Sequence, residues 1–324
     1  LIRKVGFILE NDMRYTTLNN GLKMPVIGLG TWKSKPGEVY QAVIWALKAG
    51  YRQIDCAQIY GNEKEIGQAL QDAFKDGLVK REELWVTSKL WNNAHAAADV
   101  LPALKKTLAD LQLEYLDLYL IHWPVVQKKE VIFPSGAEDM LPLEEVPLSE
   151  TWREMEKAVK AGLVRSIGLS NCGEKRIGGV LAACSLKPAV LQIENHPFLQ
   201  QKELIAFCKK QGIAVTAYSP LGSQDRSNKQ PDEPLLLQHP VILGIAERLQ
   251  VSPAQVLIAW AVNRGVIVIP KSVNEERLRQ NLEAYKLKLS KEDMQEIATL
   301  ERGFRYVIGA AFAYGGYTTE NIFE

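Results

Sequence analysis

The 324-residue chain lacks most of what would commit it to a membrane, a metal or a nucleic acid. No apolar run approaches the roughly 20 residues that cross a bilayer, and the few apolar residues from Val5 to Leu9 are too short a core for a signal peptide. Net charge is nearly absent: 39 Lys and Arg against 38 Asp and Glu leave +1, with no long basic block, so no nucleic acid or membrane partner is expected. The four cysteines, Cys56, Cys172, Cys184 and Cys208, form no CxxC pair and no cluster with histidine. That spacing predicts free thiols in a reducing compartment, the cytoplasm, and no metal centre. A complete glycine-rich nucleotide turn is missing too. Gly28-Leu29-Gly30-Thr31 opens like one, but no third glycine follows at the required spacing, and a tight turn at a strand is the better reading.

What is present is a regular beat. With 47% hydrophobic and 24% charged residues the composition is that of a globular protein. Residues 1–12 precede Met13 and are read as an N-terminal extension outside the fold, from an alternative start or an expression remnant; residues 13–324 are expected to form one domain. After a hairpin (Tyr15–Leu18, the turn Asn19-Asn20-Gly21, Leu22–Val26), apolar runs alternate with amphipathic helical stretches. The strands are expected at Gly28–Thr31, Tyr51–Ala57, Leu84–Leu90, Leu116–Trp123, Val164–Ser170, Ala189–Glu194, Ala214–Ser219 and Val266–Pro270. Helices are expected at Pro36–Ala49, Asn62–Lys75, Ala96–Leu111, Ser149–Ala161, Lys202–Lys210, Val241–Leu249, Pro253–Asn263, Asn274–Ala284 and Lys291–Glu301. Eight such repeats predict an α/β fold, a (β/α)8 TIM barrel; the alternative is a doubly wound open sheet.

Two long insertions, Pro124–Pro147 and Gly222–Pro234, fall after the fourth and seventh strands, on the face where barrel enzymes carry their chemistry. The tail beyond Arg302 is rich in aromatics and is open to two readings, packing against the body or walling a pocket. Polar groups recur at the strand ends on that face: Asp55 with Tyr60 just beyond it, Lys89, and His122. Burying a carboxylate, a lysine and a histidine there is costly unless they meet. Asp55 and Lys89 alone read equally well as a structural ion pair; Tyr60 and His122 on the same rim shift the reading towards function.

Asp55-x4-Tyr60-Gly61-Asn62-Glu63, Ser88-Lys89-Leu90-Trp91, Ile121-His122-Trp123-Pro124, Gly168-Leu169-Ser170-Asn171, Gln192-Ile193-Glu194, Tyr218-Ser219-Pro220-Leu221-Gly222 and Ile269-Pro270-Lys271-Ser272 closely resemble the aldo-keto reductase family, in order and spacing from about Leu18 to the C-terminus. The resemblance implies a barrel that reduces aldehydes and some ketones with a nicotinamide cofactor bound without a Rossmann domain, in a monomer acting on a small carbonyl substrate. It implies that Tyr60 donates the proton, that Lys89 lowers the phenol's pKa, that Asp55 holds Lys89, and that His122 orients the carbonyl. It also implies that Tyr218 stacks on the nicotinamide, that Ser170, Asn171 and Gln192 hold its carboxamide, and that Thr31, Trp32, Lys33 and Asp55 line its passage.

Further along the cofactor, Ser219, Leu221 and Ser223 match a loop over the pyrophosphate. Lys271, Ser272, Asn274 and Arg277 resemble a 2′-phosphate clamp at a helix start, which favours NADP(H), while Gln280 and Asn281 match adenine contacts. Trp32, Trp91, His122, Trp123 and Phe133 are the expected substrate wall. Asn228 stands where vertebrate aldose-reductase-like members carry a tryptophan, so no sugar or steroid is singled out. Two other readings stay open: a catalytically weak NADP(H)-binding regulatory or structural protein, and an isomerase or aldolase using Lys89 as a Schiff-base nucleophile.

Overall fold

The computed structural model describes residues 13–226, 229 and 232–324. Strands β1 (Tyr15–Thr17) and β2 (Lys23–Pro25) pair antiparallel, with Gly21 at a φ of 82° allowing the tight turn. Then come β3 (Leu29–Gly30), α1 (Glu38–Ala49), β4 (Gln53–Asp55), α2 (Glu63–Lys75), β5 (Trp85–Leu90), α3 (Ala97–Leu111) and β6 (Leu118–Ile121). The insertion after β6 forms its own antiparallel ribbon, β7 (Val126–Gln127) with β8 (Met140–Leu141). The chain continues through α4 (Leu148–Lys160), β9 (Ile167–Ser170), α5 (Glu174–Ala183), β10 (Val190–Glu194), α6 (Lys202–Gln211), β11 (Ala214–Tyr218), α7 (Pro240–Leu249), α8 (Pro253–Asn263), β12 (Ile267–Val268), α9 (Glu275–Glu283) and α10 (Lys291–Ala298).

Eight parallel strands pair in the order β12-β11-β10-β9-β6-β5-β4-β3. Parallel bridges Ile27–Val268 and Gly30–Lys271 join the last strand to the first and close the barrel. The seam explains Gly30, one of the two glycines that open like a nucleotide turn. A Cβ on Gly30 would stand 2.6 Å from the Ile269 carbonyl oxygen, so the backbones approach there only because the side chain is missing.

Alternation along the strands separates two environments. Outward residues such as Val86, Leu90, Tyr119 and Ile121 pack under the helices, whose buried faces recur at helical spacing, as in Ile66, Ala69, Leu70 and Ala73 of α2. The barrel interior starts apolar at the strand N-terminal ends, where Trp85, Leu118, Leu120, Val190 and Ile267 meet Leu18 and Met24 of the hairpin. The hairpin thus plugs one mouth, tied by Asn19 Nδ2 to the Pro188 carbonyl at 2.8 Å and by Asn20 Nδ2 to Ser166 Oγ at 2.9 Å. Further along the strands the inward side chains include Gln53, Thr87 and Thr216, and then Asp55 and Lys89. Polarity rises towards one end, and the site opens there.

Helix α5 has no counterpart in the sequence expectation. Gly178 and Gly179 sit in its middle, each costing about 1 kcal/mol relative to alanine, and they erase the propensity signal. Tertiary contacts hold it instead: Arg176 Nη2 donates to the Asn321 carbonyl of the C-terminal tail at 2.7 Å. Among the described residues no single helix is long and apolar enough to cross a membrane. Helices α7 and α8 pass that test only jointly, across a 94° bend, and Val256–Val262 of α8 are buried in the core.

Candidate active site

Strand β4 delivers Asp55, and the chain then turns through a short 3-10 segment, Gln58–Tyr60, before entering α2. Neighbouring β5 delivers Lys89, with no exposure, beside Asp55 at 2%. The Lys89 ammonium donates to Asp55 Oδ1, to the Cys56 carbonyl at 2.8 Å and to Tyr60 Oη at 3.3 Å. Three acceptors for three N–H groups leave no lone pair on a charged amine, which opposes a Schiff-base role. Asp55 Oδ2 accepts from Gln192 Nε2 at 2.7 Å, so both carboxylate oxygens are engaged. Burial pulls Lys89 down, but the Asp55 charge and these hydrogen bonds outweigh it and hold the ammonium above its usual range.

Burial is the larger influence on the pKa of Tyr60, and Lys89 lowers it as expected. Burial pushes the phenol up, Lys89 pulls it down, Asp55 raises it again, and the result stands at about 12. The lysine therefore offsets part of a burial cost rather than making the phenol acidic. His122 enters from beyond β6, its ring 5.8 Å from that of Tyr60 and 5.2 Å from that of Trp91. Burial, reinforced by the Lys89 charge and by His95, holds its pKa well below the usual value, so the imidazole is neutral at ordinary pH.

Asp55, Tyr60 and His122 line a cavity of about 960 Å³, and Lys89 is buried beneath it, linked to it through Asp55 and Tyr60. Thr31, Trp32, Lys33, Ser170, Asn171, Gln192, Tyr218, Ser219, Leu221 and Ser223 line the same cavity, as do Lys271, Ser272, Asn274, Arg277, Gln280 and Asn281. Lys33, Asn171 and Ser219 each hold a left-handed φ, 63°, 58° and 48°, where the chain turns out of a strand or its loop. Such backbone is unfavourable for non-glycine residues and clusters where side chains must be aimed. Tyr218 Oη donates to Asn171 Oδ1 at 2.7 Å, and Asn171 Nδ2 donates to the His122 carbonyl at 2.9 Å, which fixes the tyrosine ring on the cavity wall. Lys33 Nζ reaches Asp225 Oδ1 at 2.9 Å and Ser223 Oγ at 3.0 Å, linking the loop after β3 to the loop after β11.

At one end of the cavity, helix α9 begins. Asn274 Oδ1 accepts from the Arg277 N–H at 2.9 Å, so this side chain caps the helix, and Gln280 Nε2 donates to Glu276 at 3.1 Å. Arg279 is paired with Glu275 at 2.8 Å, whereas Arg277 makes no ion pair among the described residues. At the other end stand Trp32, Trp91, Trp123 and Phe133, with Phe133 60% exposed at the mouth. Asn228 lies outside the described residues.

The tail takes both roles open to it. Phe312, Tyr317 and Ile322 are buried against Trp91, Trp123 and Met140, while Val307–Phe312 also wall the cavity. Residues 307–309 of this wall belong to no regular element. Glu194 places it, accepting the N–H groups of Tyr306 at 2.6 Å and Val307 at 2.9 Å. Asp225 and Arg226 were not singled out; Arg226 pairs with Glu233 and lies over the Tyr306 ring at 4.9 Å.

Residues 26–302 match the Aldo/keto reductase family. The chain is 54% identical over 318 residues to an aldo/keto reductase of Synechocystis sp., with 97% of each chain covered. It is 52% identical over 293 residues to the human aldo-keto reductase family 1 member A1, with 90% of each covered. The solved aldose reductase of Schistosoma japonicum is similar with a TM-score of 0.87 at 43% identity, over 95% of this chain and 99% of that one. Members of the family act on small carbonyl compounds and generally use a nicotinamide cofactor. The chain belongs to the aldo/keto reductase family and is one of its oxidoreductases.

Proposed function

We propose that this protein reduces aldehydes, and some ketones, to alcohols with NADPH, with Tyr60 as proton donor. The observation that carries the reading is the Tyr60 hydroxyl, facing the cavity and held 3.3 Å from a buried ammonium. The cavity fits the cofactor: about 960 Å³ runs from the Tyr218 ring to the α9 N-terminus, where helix N–H groups, Lys271 and the unpaired Arg277 favour a phosphate. Tyr218, Ser170, Asn171 and Gln192 would hold its nicotinamide end, Ser219, Leu221 and Ser223 its middle, and Lys271, Ser272, Asn274, Arg277, Gln280 and Asn281 its far end. When bound, the reduced nicotinamide supplies a hydride to the carbonyl carbon.

The residues of this chain handle the charge and the proton. His122, neutral, offers a hydrogen bond that orients the carbonyl oxygen towards Tyr60. As that oxygen becomes an alkoxide it is a far stronger base than a phenolate, so transfer from Tyr60 runs downhill although the phenol stands at about 12. The phenolate left behind is stabilised by Lys89, which Asp55 keeps charged. Trp32, Trp91, Trp123, Phe133 and the tail exclude water and suit a flat or apolar aldehyde.

The test is NADPH consumption over short aliphatic, aromatic, dicarbonyl and sugar aldehydes, for wild type and Tyr60→Phe. The variant is expected to bind NADPH normally and to lose at least about 100-fold in kcat, the scale of a missing general acid. Wild-type turnover in Tyr60→Phe would sink the assignment. A wild-type protein that binds NADPH yet oxidises none across the panel would leave the binding-protein reading.

A further inference from the structure

Glu63 is a buried acid for which the proposed chemistry has no use. It lies in the first turn of α2, a position where an acidic residue ordinarily faces water near the helix dipole. Here it is 3% exposed, its Oε1 accepts from Ser88 Oγ at 2.5 Å, and its Oε2 has no hydrogen-bond partner. Burial pushes its pKa up to about 7, opposed by the hydrogen bond from Ser88. The charged or titratable groups facing it are Asp110 and Lys106 of α3, Cys56 after β4 and Tyr119 of β6.

Its location suggests why such a group is kept. Tyr60 sits on a short turn whose own backbone bonds, Tyr60 N to the Ala57 carbonyl at 3.0 Å and Gly61 N to the Gln58 carbonyl at 3.1 Å, are internal to the turn. They do not fix the turn against β5, which carries Lys89. Two side chains next to the turn do reach neighbouring strands. Asn62 Nδ2 donates to the Thr31 carbonyl at 3.0 Å beyond β3, and Glu63 meets Ser88, the residue immediately before Lys89. The Glu63–Ser88 bond lies behind the sheet, at a position adjacent to the Lys89–Tyr60 contact.

We propose that Glu63, through Ser88, is a positioning residue that sets the distance between Tyr60 and Lys89. It works as a hydrogen-bond partner rather than as a charge. The inference rests on Tyr60 being the proton donor. If the link is cut, the turn drifts from β5, Lys89 stabilises the phenolate less, and proton transfer slows. A misplacement near 1 Å costs up to about 100-fold in rate.

The test uses Ser88→Ala, Glu63→Leu and Glu63→Gln, with Tyr60→Phe in parallel, measuring kcat, KM for NADPH, the pH profile of carbonyl reduction and the melting temperature. Ser88→Ala and Glu63→Leu are expected to lower kcat by roughly 10- to 100-fold with KM for NADPH nearly unchanged, and to move the alkaline limb upward by about one pH unit. Ser88→Ala removes only a hydroxyl, so it reports even if Glu63→Leu does not fold. Glu63→Gln keeps an acceptor for Ser88 and is expected within about threefold of wild type, with the limb in place. Wild-type kcat and limb in Ser88→Ala would overturn the inference, as would a Glu63→Gln as impaired as Glu63→Leu. An active Tyr60→Phe would instead overturn the donor assignment beneath it.

Discussion

Asp55→Asn keeps the size and shape of a buried side chain and removes its charge. Lys89 would then stand with no exposure and no counter-ion, retaining only the Cys56 carbonyl, Tyr60 Oη and an amide oxygen as acceptors. Two routes bound the cost. Breaking a buried ion pair from one side costs about 3–5 kcal/mol. Alternatively Lys89 gives up its proton, which at pH 7 costs about 1.4 kcal/mol for each unit below a free-lysine pKa near 10.4, or roughly 4.6 kcal/mol. The second route caps the first, and both place the loss at about 3–5 kcal/mol.

The pH dependence separates the variant from the wild type. In the wild type the folded pKa of Lys89 is raised, so its contribution is fully present below the unfolded pKa and is lost only as pH climbs through the folded value; between pH 7 and 9.5 it is flat. In the variant with a neutral folded lysine, the unfolded state binds one more proton, and stability rises with pH by about 1.4 kcal/mol per unit. Denaturant unfolding across that range is therefore expected to show a gap of about 3–5 kcal/mol at pH 7 that narrows by roughly 3 kcal/mol by pH 9.5. A gap below 1 kcal/mol at pH 7 would refute the claim that Asp55 is what keeps Lys89 charged. A gap unchanged by pH would refute the deprotonation argument.

Two further outcomes follow from the ends of the cavity. Arg277→Ala is expected to weaken NADPH by about 10- to 100-fold, the loss of a charge-assisted phosphate contact of about 1.5–3 kcal/mol, and NADH by no more than about threefold; equal losses in fluorescence titrations would remove the phosphate clamp. Of the cations lining the described cavity, Lys33, 4.2 Å from the Trp32 ring centroid, is engaged by Asp225, and Arg226, 4.9 Å from the Tyr306 ring centroid, by Glu233, while Lys271 and Arg277 flank the start of α9, so none stands free beside the Trp91 and Trp123 wall. A carboxylate seated against that wall would be desolvated without a partner, so kcat/KM for 4-carboxybenzaldehyde should fall at least about tenfold below that for benzaldehyde, and equal values would contradict the apolar wall.

How much of this could be read in the sequence depended on whether the signal was local. The strands and their polar ends were visible because a lysine in an apolar run is rarely buried without a partner, and Asp55, Lys89 and His122 all fall at or just past the C-terminal ends of their strands. The cofactor-side residues were visible through a resemblance carried by contiguous motifs. Helix α5 was hidden because Gly178 and Gly179 cancel local propensity, while its stability comes from contacts with a tail nearly 150 residues away, as between Arg176 and Asn321. The tail was open to a wall reading, but which part of it forms the wall was hidden for a similar reason, since Glu194 holds Tyr306 and Val307 from more than 100 residues upstream.

The net pKa of Tyr60 depends on a quantity that sequence does not contain. Lys89 acts as expected, but burial is a property of everything packed around the ring, and it is the larger effect. Glu63 is the same case in reverse. In sequence it is an ordinary first-turn acid complementing a helix dipole, and only its 3% exposure turns it from solvent decoration into a group that must have a reason to be buried. Charge pairs announce themselves by residue type. A buried acid with no ion-pair partner among the described residues is recognisable only by what surrounds it, and for Glu63 that is Ser88, next to Lys89 on the back of the sheet.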